Sequence, residues 1–247
     1  PRCLAGQDNR CDRYDVLGYQ SDGGYAELVV VPESNLIPLP DHVGFVEAAA
    51  FPLAFLTAWH MLHSRASLLP GETVLVVAAG SGVGQAAIQI ARHAGARVLA
   101  TAGGPEKLAR AIGLGAEAAI DHYVEDVPAR IKALTGRRGV DVVIEHVGQA
   151  TWERSLKCLA RGGRLVTCGA TTGHDARLDL RHLFARQLSL LGSYMGERGE
   201  LRRAADLFFA GVFTPAVDRT FPLSEAGQAH EYLEASAQFG KVVLMLD

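Results

Sequence analysis

Short apolar segments alternate with amphipathic segments over residues 73–194. The apolar segments, such as VLVV and DVVIEH, have no polar face, and the segments between them repeat apolar residues at helical spacing. Strands that are apolar on both faces are typical of a parallel sheet covered by helices. The pattern predicts six strands, at 73–79, 96–101, 117–121, 141–146, 164–169 and 188–193. It predicts helices between them, near 83–94, 105–113, 125–135, 151–160 and 179–186.

The segment before this alternation has a different pattern. Residues 23–31 (GGYAELVVV) predict a strand that ends at a proline, and the two prolines of LIPLP at 36–40 exclude a helix there. Residues 45–62 are apolar and rich in alanine, which predicts one or two buried helices broken at Pro52.

The segment after Tyr194 also departs from the alternation. We predict that this tail is not a further strand–helix repeat and that it packs with residues 1–54, away from the parallel sheet. Its predicted elements are a helix over 200–209, an extended piece over 213–221, a helix over 224–235 and a strand over 241–246.

A glycine-rich turn joins the first strand of the alternation to its helix, in the order TVLVVAAGSGVG-QAAIQIARH. Dinucleotide pyrophosphates bind at such turns, because glycines allow close backbone approach and the first N–H groups of the helix point at the phosphates. The spacing departs from G-x-G-x-x-G. Counted from Gly80, the third position is Gln85; counted back from Gly84, the first two positions are Ala79 and Ser81. The strand–turn–helix order still predicts a cofactor turn, formed by Gly80, Ser81, Gly82, Val83 and Gly84.

The composition and the net charge limit the kinds of function that the chain can have. The chain has 247 residues, 49% hydrophobic and 21% charged, which is typical of a soluble globular protein with one large or two ordinary domains. The net charge of -3 does not indicate a nucleic-acid partner. The uncharged run over 73–91 contains three glycines, a serine and two glutamines, so a membrane span is not predicted. The polar opening predicts no signal peptide, and four cysteines, two of them in predicted core elements, indicate a reducing cytoplasm.

Five segments carry a family resemblance over nearly the whole chain. They are GGYAELVVVPESNLIPLP, PLAFLTAW, AAGSGVGQAAIQIARHAGARVLAT, GGRLVTCGATTG and FGKVVL. In these segments the chain resembles the medium-chain dehydrogenase/reductase family, and within it the quinone oxidoreductase-like and zinc-lobe alcohol dehydrogenase-like members. The resemblance implies an α/β fold: a doubly wound parallel sheet (Rossmann) with a partial, mostly β, GroES-like catalytic domain. It divides the chain into a remnant of the catalytic domain (1–54), a dinucleotide-binding domain (55–194) and a C-terminal return to the catalytic domain (195–247).

Cys3 and Cys11 are separated by seven residues, and from the residues alone they are either two thiols at the surface or two metal ligands. They resemble the third and fourth ligands of the family's structural-zinc loop, C-x2-C-x2-C-x7-C. The first two cysteines would precede Pro1, as would most of the substrate-binding domain, so the resemblance implies an N-terminally truncated chain. Two thiolates are half of a tetrahedral zinc site, and we expect such a site to bind zinc poorly if at all.

The resemblance also bears on catalysis. In the zinc alcohol dehydrogenases of the family, a cysteine ligand of the catalytic zinc lies four residues before a threonine beside the nicotinamide. In PLAFLTAW the threonine is Thr57, and the ligand position holds Leu53, which cannot coordinate a metal. His60 and His63 lie three apart on a predicted helix, a spacing more typical of ordinary core or surface histidines than of ligands. The resemblance therefore implies a reductase without catalytic zinc, which passes hydride from nicotinamide to a quinone or to the β-carbon of an enone.

The end of the second strand bears on the choice of cofactor. Folds that prefer NADH place an acid about 20 residues after the glycine turn, and removal of that carboxylate removes its repulsion of a 2′-phosphate. The chain has Thr-Ala-Gly-Gly there. In similar quinone reductases a lysine and a tyrosine at these places flank the 2′-phosphate. The alternative for Lys107 is an ordinary solvated lysine on the surface of a helix. NADPH is predicted, with NADH as the alternative, and the predicted contacts are Thr101, Ala102, Gly103, Lys107 and Tyr123.

The ends of the later strands supply the remaining candidates. His146 and Val147 end the fourth strand at the edge of the sheet where doubly wound folds bind ligands, although His146 serves equally well as a strand cap. By resemblance, Cys168 and Gly169 lie beside the nicotinamide, and Gly192 and Ser193 lie near its carboxamide. Cys168 is not predicted to be a nucleophile, because no base stands near it in sequence.

Partners and alternatives follow from the same residues. The resemblance implies that strand 188–193 pairs across the two-fold axis of a homodimer, which would also protect an edge strand that is otherwise an aggregation hazard. The expected partner of the site is a small molecule of undetermined identity. Two other classes of function stay open: a zinc-dependent NAD(P) alcohol dehydrogenase with its ligands upstream, and a module that binds the cofactor but does no chemistry.

Overall fold

A six-stranded parallel sheet forms the centre of the protein. The computed structural model describes residues 2–3 and 5–246. The strands lie in the order β3-β2-β1-β4-β5-β6, so the order reverses between β1 and β4, and the prediction of a doubly wound sheet is confirmed. The strands are β1 (Thr73–Val76), β2 (Arg97–Ala102), β3 (Ala118–Asp121), β4 (Val140–Glu145), β5 (Leu159–Thr167) and β6 (Ser189–Gly192).

Helices cover both faces of the sheet. Successive strand residues point to opposite faces, so Val74 and Val76 pack into one core while Leu75 and Val77 pack into the other. Two apolar cores result, which explains why the strands have no polar face. The helices are α1 (Phe45–Ala50), α2 (Pro52–Trp59), α3 (Gly82–His93), α4 (Pro105–Gly113), α5 (Val127–Leu134), α6 (Trp152–Cys158), α7 (Leu180–Arg186), α8 (Arg198–Phe209) and α9 (Ala226–Glu234).

The predicted helical segment 45–62 forms two α-helices and a π-helical turn. Pro52 is the first residue of α2, a position that suits proline because its missing N–H has no intrahelical acceptor there. The chain then continues as a π-helical turn over His60–Arg65. No helix of the described residues has the length and apolar character needed to cross a membrane.

The prediction of a strand over 23–31 is wrong. These residues form a bend and an extended segment without a ladder partner among the described residues, and Leu28 and Val30 are 90% and 96% exposed. An apolar segment rich in β-branched residues becomes a strand only where a neighbouring strand accepts and donates its hydrogen bonds. Before α1, the described residues form two short 3-10 turns, Asp8–Arg10 and Glu33–Asn35, and an isolated bridge.

The prediction for the tail is also wrong in two respects. β7 (Val217–Pro222) and β8 (Lys241–Met245) pair in parallel, and α9 lies between them in sequence, so the tail contains a strand–helix–strand unit of its own. Nor does the tail lie away from the sheet. The tail does pack with residues 1–54, as predicted, since the Phe208 ring of α8 stacks on Phe51 at 4.5 Å. Both rings also share a core with the sheet, where α8 packs on α2. The three-part division of the chain stays a prediction.

Candidate functional site

The glycine turn lies between the carboxyl end of β1 and the start of α3. Ser81 is the N-cap of α3, and its Oγ accepts the N–H of Gly84 at 2.8 Å. The backbone N–H groups of Gly82 and Val83 lie in the first turn of α3, where a helix offers no internal acceptors. These N–H groups and the positive end of the helix dipole attract an anion. Because the first turn of α3 has no acidic side chain, that turn carries no negative charge to repel one.

Gly84 is required for the close packing of α3 on the strand before it. A Cβ on Gly84 would overlap the carbonyl oxygen of Ala78 and approach Cα of Ala79 to 2.9 Å. Gly84 therefore takes the third glycine's role in the motif, which is close packing of helix on strand. The turn has the form of an anion cradle that could hold a pyrophosphate, and of the two alignments the one that ends at Gly84 matches the structure.

Lys241 lies over this turn, and it was not among the residues predicted for the site. The backbone N–H of Gly240 donates to the carbonyl of Gly80 at 2.7 Å, which brings the start of β8 to the turn. The Lys241 stem then lies 2.9 Å from where a Cβ on Gly82 would be. Burial lowers the pKa of Lys241, and no hydrogen bond or ion pair to its ammonium is found within the described part of the chain. The one signal in the sequence was a cation in the closing segment FGKVVL.

The end of β2 has the residues predicted for the adenosine side of a cofactor. Thr101 and Ala102 are buried. The ring of Tyr123 covers Gly103, with its Cδ2 2.9 Å from where a Cβ would be. Lys107 reaches back past Gly80, and its Nζ donates to the carbonyl of Ser236 at 2.5 Å.

An acid that was not predicted for the site also lies near this position. Asp121 ends β3, and its carboxylate accepts the backbone N–H of Gly104 at 3.2 Å and that of Tyr123 at 3.0 Å. The carboxylate is thus engaged by the two loops that surround Gly103. Parallel pairing of β2 with β3 brings it there, a relation that spacing along the chain does not reveal.

The end of β4 is organised by a buried carboxylate. Glu145 is fully buried, and its oxygens accept the N–H groups of Val147 at 2.6 Å and Gly148 at 3.2 Å. They also accept the hydroxyls of Thr151 at 2.8 Å and Ser155 at 2.7 Å. Four donors to one carboxylate fix the backbone of the turn that follows β4. The neighbours of Glu145 were predicted as site residues, whereas Glu145 itself was not.

His146 lies at the point where the strand order reverses. Its Nε2 is 3.1 Å from the hydroxyl oxygen of Ser81, so it contacts the glycine turn directly. Burial lowers the pKa of His146, while the Glu145 carboxylate acts in the opposite direction. The ends of β4 and β5 approach closely, since a Cβ on Gly169 would lie 2.8 Å from the His146 carbonyl oxygen.

Burial also raises the pKa of the Cys168 thiol to about 11, which leaves it protonated and a poor nucleophile at neutral pH.

The remaining candidates lie on β6 and α2. Ser193 N–H donates to the Thr167 carbonyl at 2.8 Å, and the Gly192 carbonyl accepts the Arg65 guanidinium at 2.7 Å. Thr57 is buried on α2. Among the described residues, no hydrogen bond links the Thr57 side chain to the strand ends.

The two cysteines of the N-terminal loop lie side by side. The backbone N–H of Arg13 is the main cause that lowers the pKa of Cys11, and the hydrogen bond with Cys11 raises the pKa of Cys3. They offer two of the four ligands that a structural zinc needs. In the described ranges, no three His, Cys, Asp or Glu side chains come together as a metal site. Leu53, at the position of the catalytic ligand, is half exposed at the start of α2.

Comparison with known proteins gives matches over most of the chain. Residues 82–210 match the family model described as zinc-binding dehydrogenase. The quinone oxidoreductase of Pseudomonas aeruginosa is 36% identical over 233 residues, which are 90% of this chain and 71% of that protein.

Two solved structures are similar over nearly all of the described chain. A structure titled NAD-dependent alcohol dehydrogenase is 47% identical, with a TM-score of 0.96, and the match covers 100% of this chain and 72% of that one. The crotonyl-CoA carboxylase/reductase AntE, in complex with NADP, is 28% identical, with a TM-score of 0.91 and coverage of 98% and 67%.

Proposed function

The chain belongs to the medium-chain dehydrogenase/reductase family and is an oxidoreductase, and we propose that it is an NADPH-dependent reductase that acts without catalytic zinc. The hydride acceptor is a quinone, an enone or a related carbonyl compound. One observation carries the proposal: a glycine cradle at the start of α3 lies beside the end of β2, which has no acid. The quinone oxidoreductase relative and the NADP complex of AntE support it.

Residues of this chain fit the cofactor in separate regions. The N–H groups of Gly82 and Val83, with the Lys241 ammonium, would hold the pyrophosphate. The backbones that follow β4, β5 and β6 would surround the nicotinamide ring, and Glu145 holds the first of them rigid. The bound nicotinamide supplies the hydride. Since the protein's part is to hold donor and acceptor together, a rigid turn at this edge contributes to the rate.

We assign NADPH as the preferred cofactor. The Tyr123 ring on Gly103 offers a surface for the adenosine, and the Lys107 side chain lies beside the turn. The nearby Asp121 carboxylate already accepts two backbone N–H groups and is less available to the ribose hydroxyls that NADH offers. The test is titration with both nucleotides at low salt. A tighter dissociation constant for NADH than for NADPH would contradict the assignment.

The absence of a catalytic zinc ligand at Leu53 is the basis for zinc-independent chemistry. Leucine has no donor atom, and its side chain at the start of α2 is half exposed. The second candidate is a zinc-dependent alcohol dehydrogenase, favoured by the 47% identity with the structure titled NAD-dependent alcohol dehydrogenase. Assays of quinone and enone reduction and of alcohol oxidation, each with and without a metal chelator, separate the two. Alcohol oxidation that a chelator abolishes would favour the second candidate, and cofactor binding without any turnover would favour a binding module.

Three smaller proposals accompany this function. We propose that the protein forms a homodimer through the edge of β6, the last strand in the order of the sheet. Cys3 and Cys11 would supply two ligands of a structural zinc. Measurement of the zinc content of the purified protein tests this proposal. The free cysteines of the described residues favour a reducing compartment such as the cytoplasm.

A further inference from the structure

Ser81 lies at a position where dinucleotide-binding turns have glycine. In the alignment that ends at Gly84, Ser81 takes the place of the second glycine, whose usual function is to let the backbone approach the pyrophosphate. A side chain that pointed toward the ligand at this position would obstruct that approach. The structure shows how the serine is accommodated, because its hydroxyl has two partners within the protein.

Those two partners hold the Ser81 hydroxyl in one direction. The N–H of Gly84 donates to Oγ at 2.8 Å, which is the N-cap bond of α3. The Nε2 atom of His146 lies 3.1 Å from the same oxygen. A serine hydroxyl has one hydrogen to donate, and since Gly84 already donates to the oxygen, that hydrogen is available for a neutral imidazole. The desolvation of His146 favours the neutral ring.

The backbone that carries the imidazole is itself held in place. His146 follows Glu145, whose carboxylate fixes the next two backbone N–H groups, and the His146 carbonyl accepts the Thr171 hydroxyl at 3.2 Å. β4 is the neighbour of β1 across the point where the strand order reverses. β2 lies on one side of β1 and β4 on the other, so the His146 ring approaches the turn from the side away from β2.

We propose that His146 is a positioning residue of the cofactor turn: it holds the Ser81 hydroxyl against the start of α3, so that the N–H groups of Gly82 and Val83 stay open to the pyrophosphate. The inference rests on the proposed binding of a dinucleotide. It explains how this chain combines a serine with a function that usually needs glycine, and it predicts that the importance of His146 depends on Ser81.

The test is a double-mutant cycle with nucleotide binding as the readout. Dissociation constants for NADPH and ADP-ribose are measured for the wild type, His146→Ala, Ser81→Gly and the double variant. We expect His146→Ala to weaken both ligands about tenfold in the wild-type background, the effect of one lost hydrogen bond in a binding site. In the Ser81→Gly background, the same substitution should have little further effect. His146→Gln, which can place an acceptor near the hydroxyl, should restore part of the affinity.

Controls separate this role from general stability. His174 is about 90% exposed, and His174→Ala should bind both nucleotides as the wild type does. The unfolding midpoint of each variant is recorded, and if His146→Ala does not fold, His146→Gln and Ser81→Ala test the same hydrogen bond. An equal loss in the wild-type and Ser81→Gly backgrounds, or no loss at all, would overturn the positioning role. A wild-type protein that binds neither nucleotide would instead refute the proposed function.

Discussion

At the scale of single residues, the site depends on contacts between positions far apart in the sequence. Lys241 contacts the turn at Gly82, and Asp121 holds Gly104. Neither pair has a spacing signal, since each joins different strands or loops. Gly80 to Gly84 could be selected from the sequence because their neighbours in the chain are also their neighbours in space.

Replacement of Lys241 tests the phosphate contact. Lys241→Met should weaken NADPH and NADH about equally, by roughly ten- to hundredfold, because both share the pyrophosphate and a charged hydrogen bond contributes about 1.5–3 kcal/mol. Lys241→Arg should retain most of the affinity. Lys157 is exposed on α6, so Lys157→Met is the matched control and should bind as the wild type does. Loss of NADPH binding alone would instead assign Lys241 to the 2′-phosphate.

Three partly buried histidines should make stability depend on pH. Burial lowers the pKa values of His63, His122 and His146 in the folded protein, below the ordinary value of about 6.5. Below about pH 6.5 the unfolded chain therefore binds more protons than the folded protein does. The free energy of unfolding should be highest above that pH and should decrease as the pH falls toward the pKa values of these histidines in the folded protein. Urea unfolding at about pH 7.5, 6.5 and 5.5 should show this decrease. His63→Gln combined with His122→Gln should flatten the slope, and a slope unchanged in that variant would contradict the assignment.

At the scale of elements, the sequence pattern located the strands and helices of the alternation to within a few residues. β5 is the largest exception, since it begins at Leu159 where a helix was predicted to continue to 160. The strand predicted over 23–31 failed for a different reason. Its pattern is that of a strand, but a strand forms by pairing, and the described residues provide no partner.

The edge of β6 allows a test of the proposed dimer. Ser193 N–H donates inward to Thr167, and N–H directions alternate along a strand, so the N–H of Leu190 faces outward while that of Leu191 faces β5. Leu190→Pro should therefore abolish dimerisation with a modest loss of stability, because proline is tolerated where the edge N–H is unpaired. Leu191→Pro is the contrast and should lower the unfolding midpoint sharply. Sedimentation of the wild type as a monomer at high micromolar concentration would rule out the dimer.

At the scale of the whole molecule, cofactor binding should stabilise the fold. A ligand at about a hundred times its dissociation constant adds about 2.7 kcal/mol to the free energy of unfolding, if it binds the native state alone. NADPH should therefore raise the midpoint of thermal unfolding, and NADH at the same concentration should raise it less. Adenosine, which lacks the phosphates, serves as the control and should cause little change. No shift with either dinucleotide would mean that this chain has no working cofactor cleft.

The sequence by itself determined the alternation of buried strands with helices and the place of the glycine turn. Both depend on local periodicity: strands buried on two faces, helices with one apolar face, and glycines between them. The motif needed no tertiary information because the strand, the turn and the helix follow one another directly in the chain.

Tertiary structure alone decided the rest of the site and the course of the tail. Parallel pairing of β4 with β1 brought His146 to Ser81, and the strand–helix–strand unit of the tail brought Lys241 to the turn. The first contact joins residues 65 positions apart, the second joins residues still farther apart, and the geometry of both depends on strand order and core packing. The physical reason is that hydrogen bonds and close packing act over a few ångströms in space, whereas a sequence records distance only along the chain.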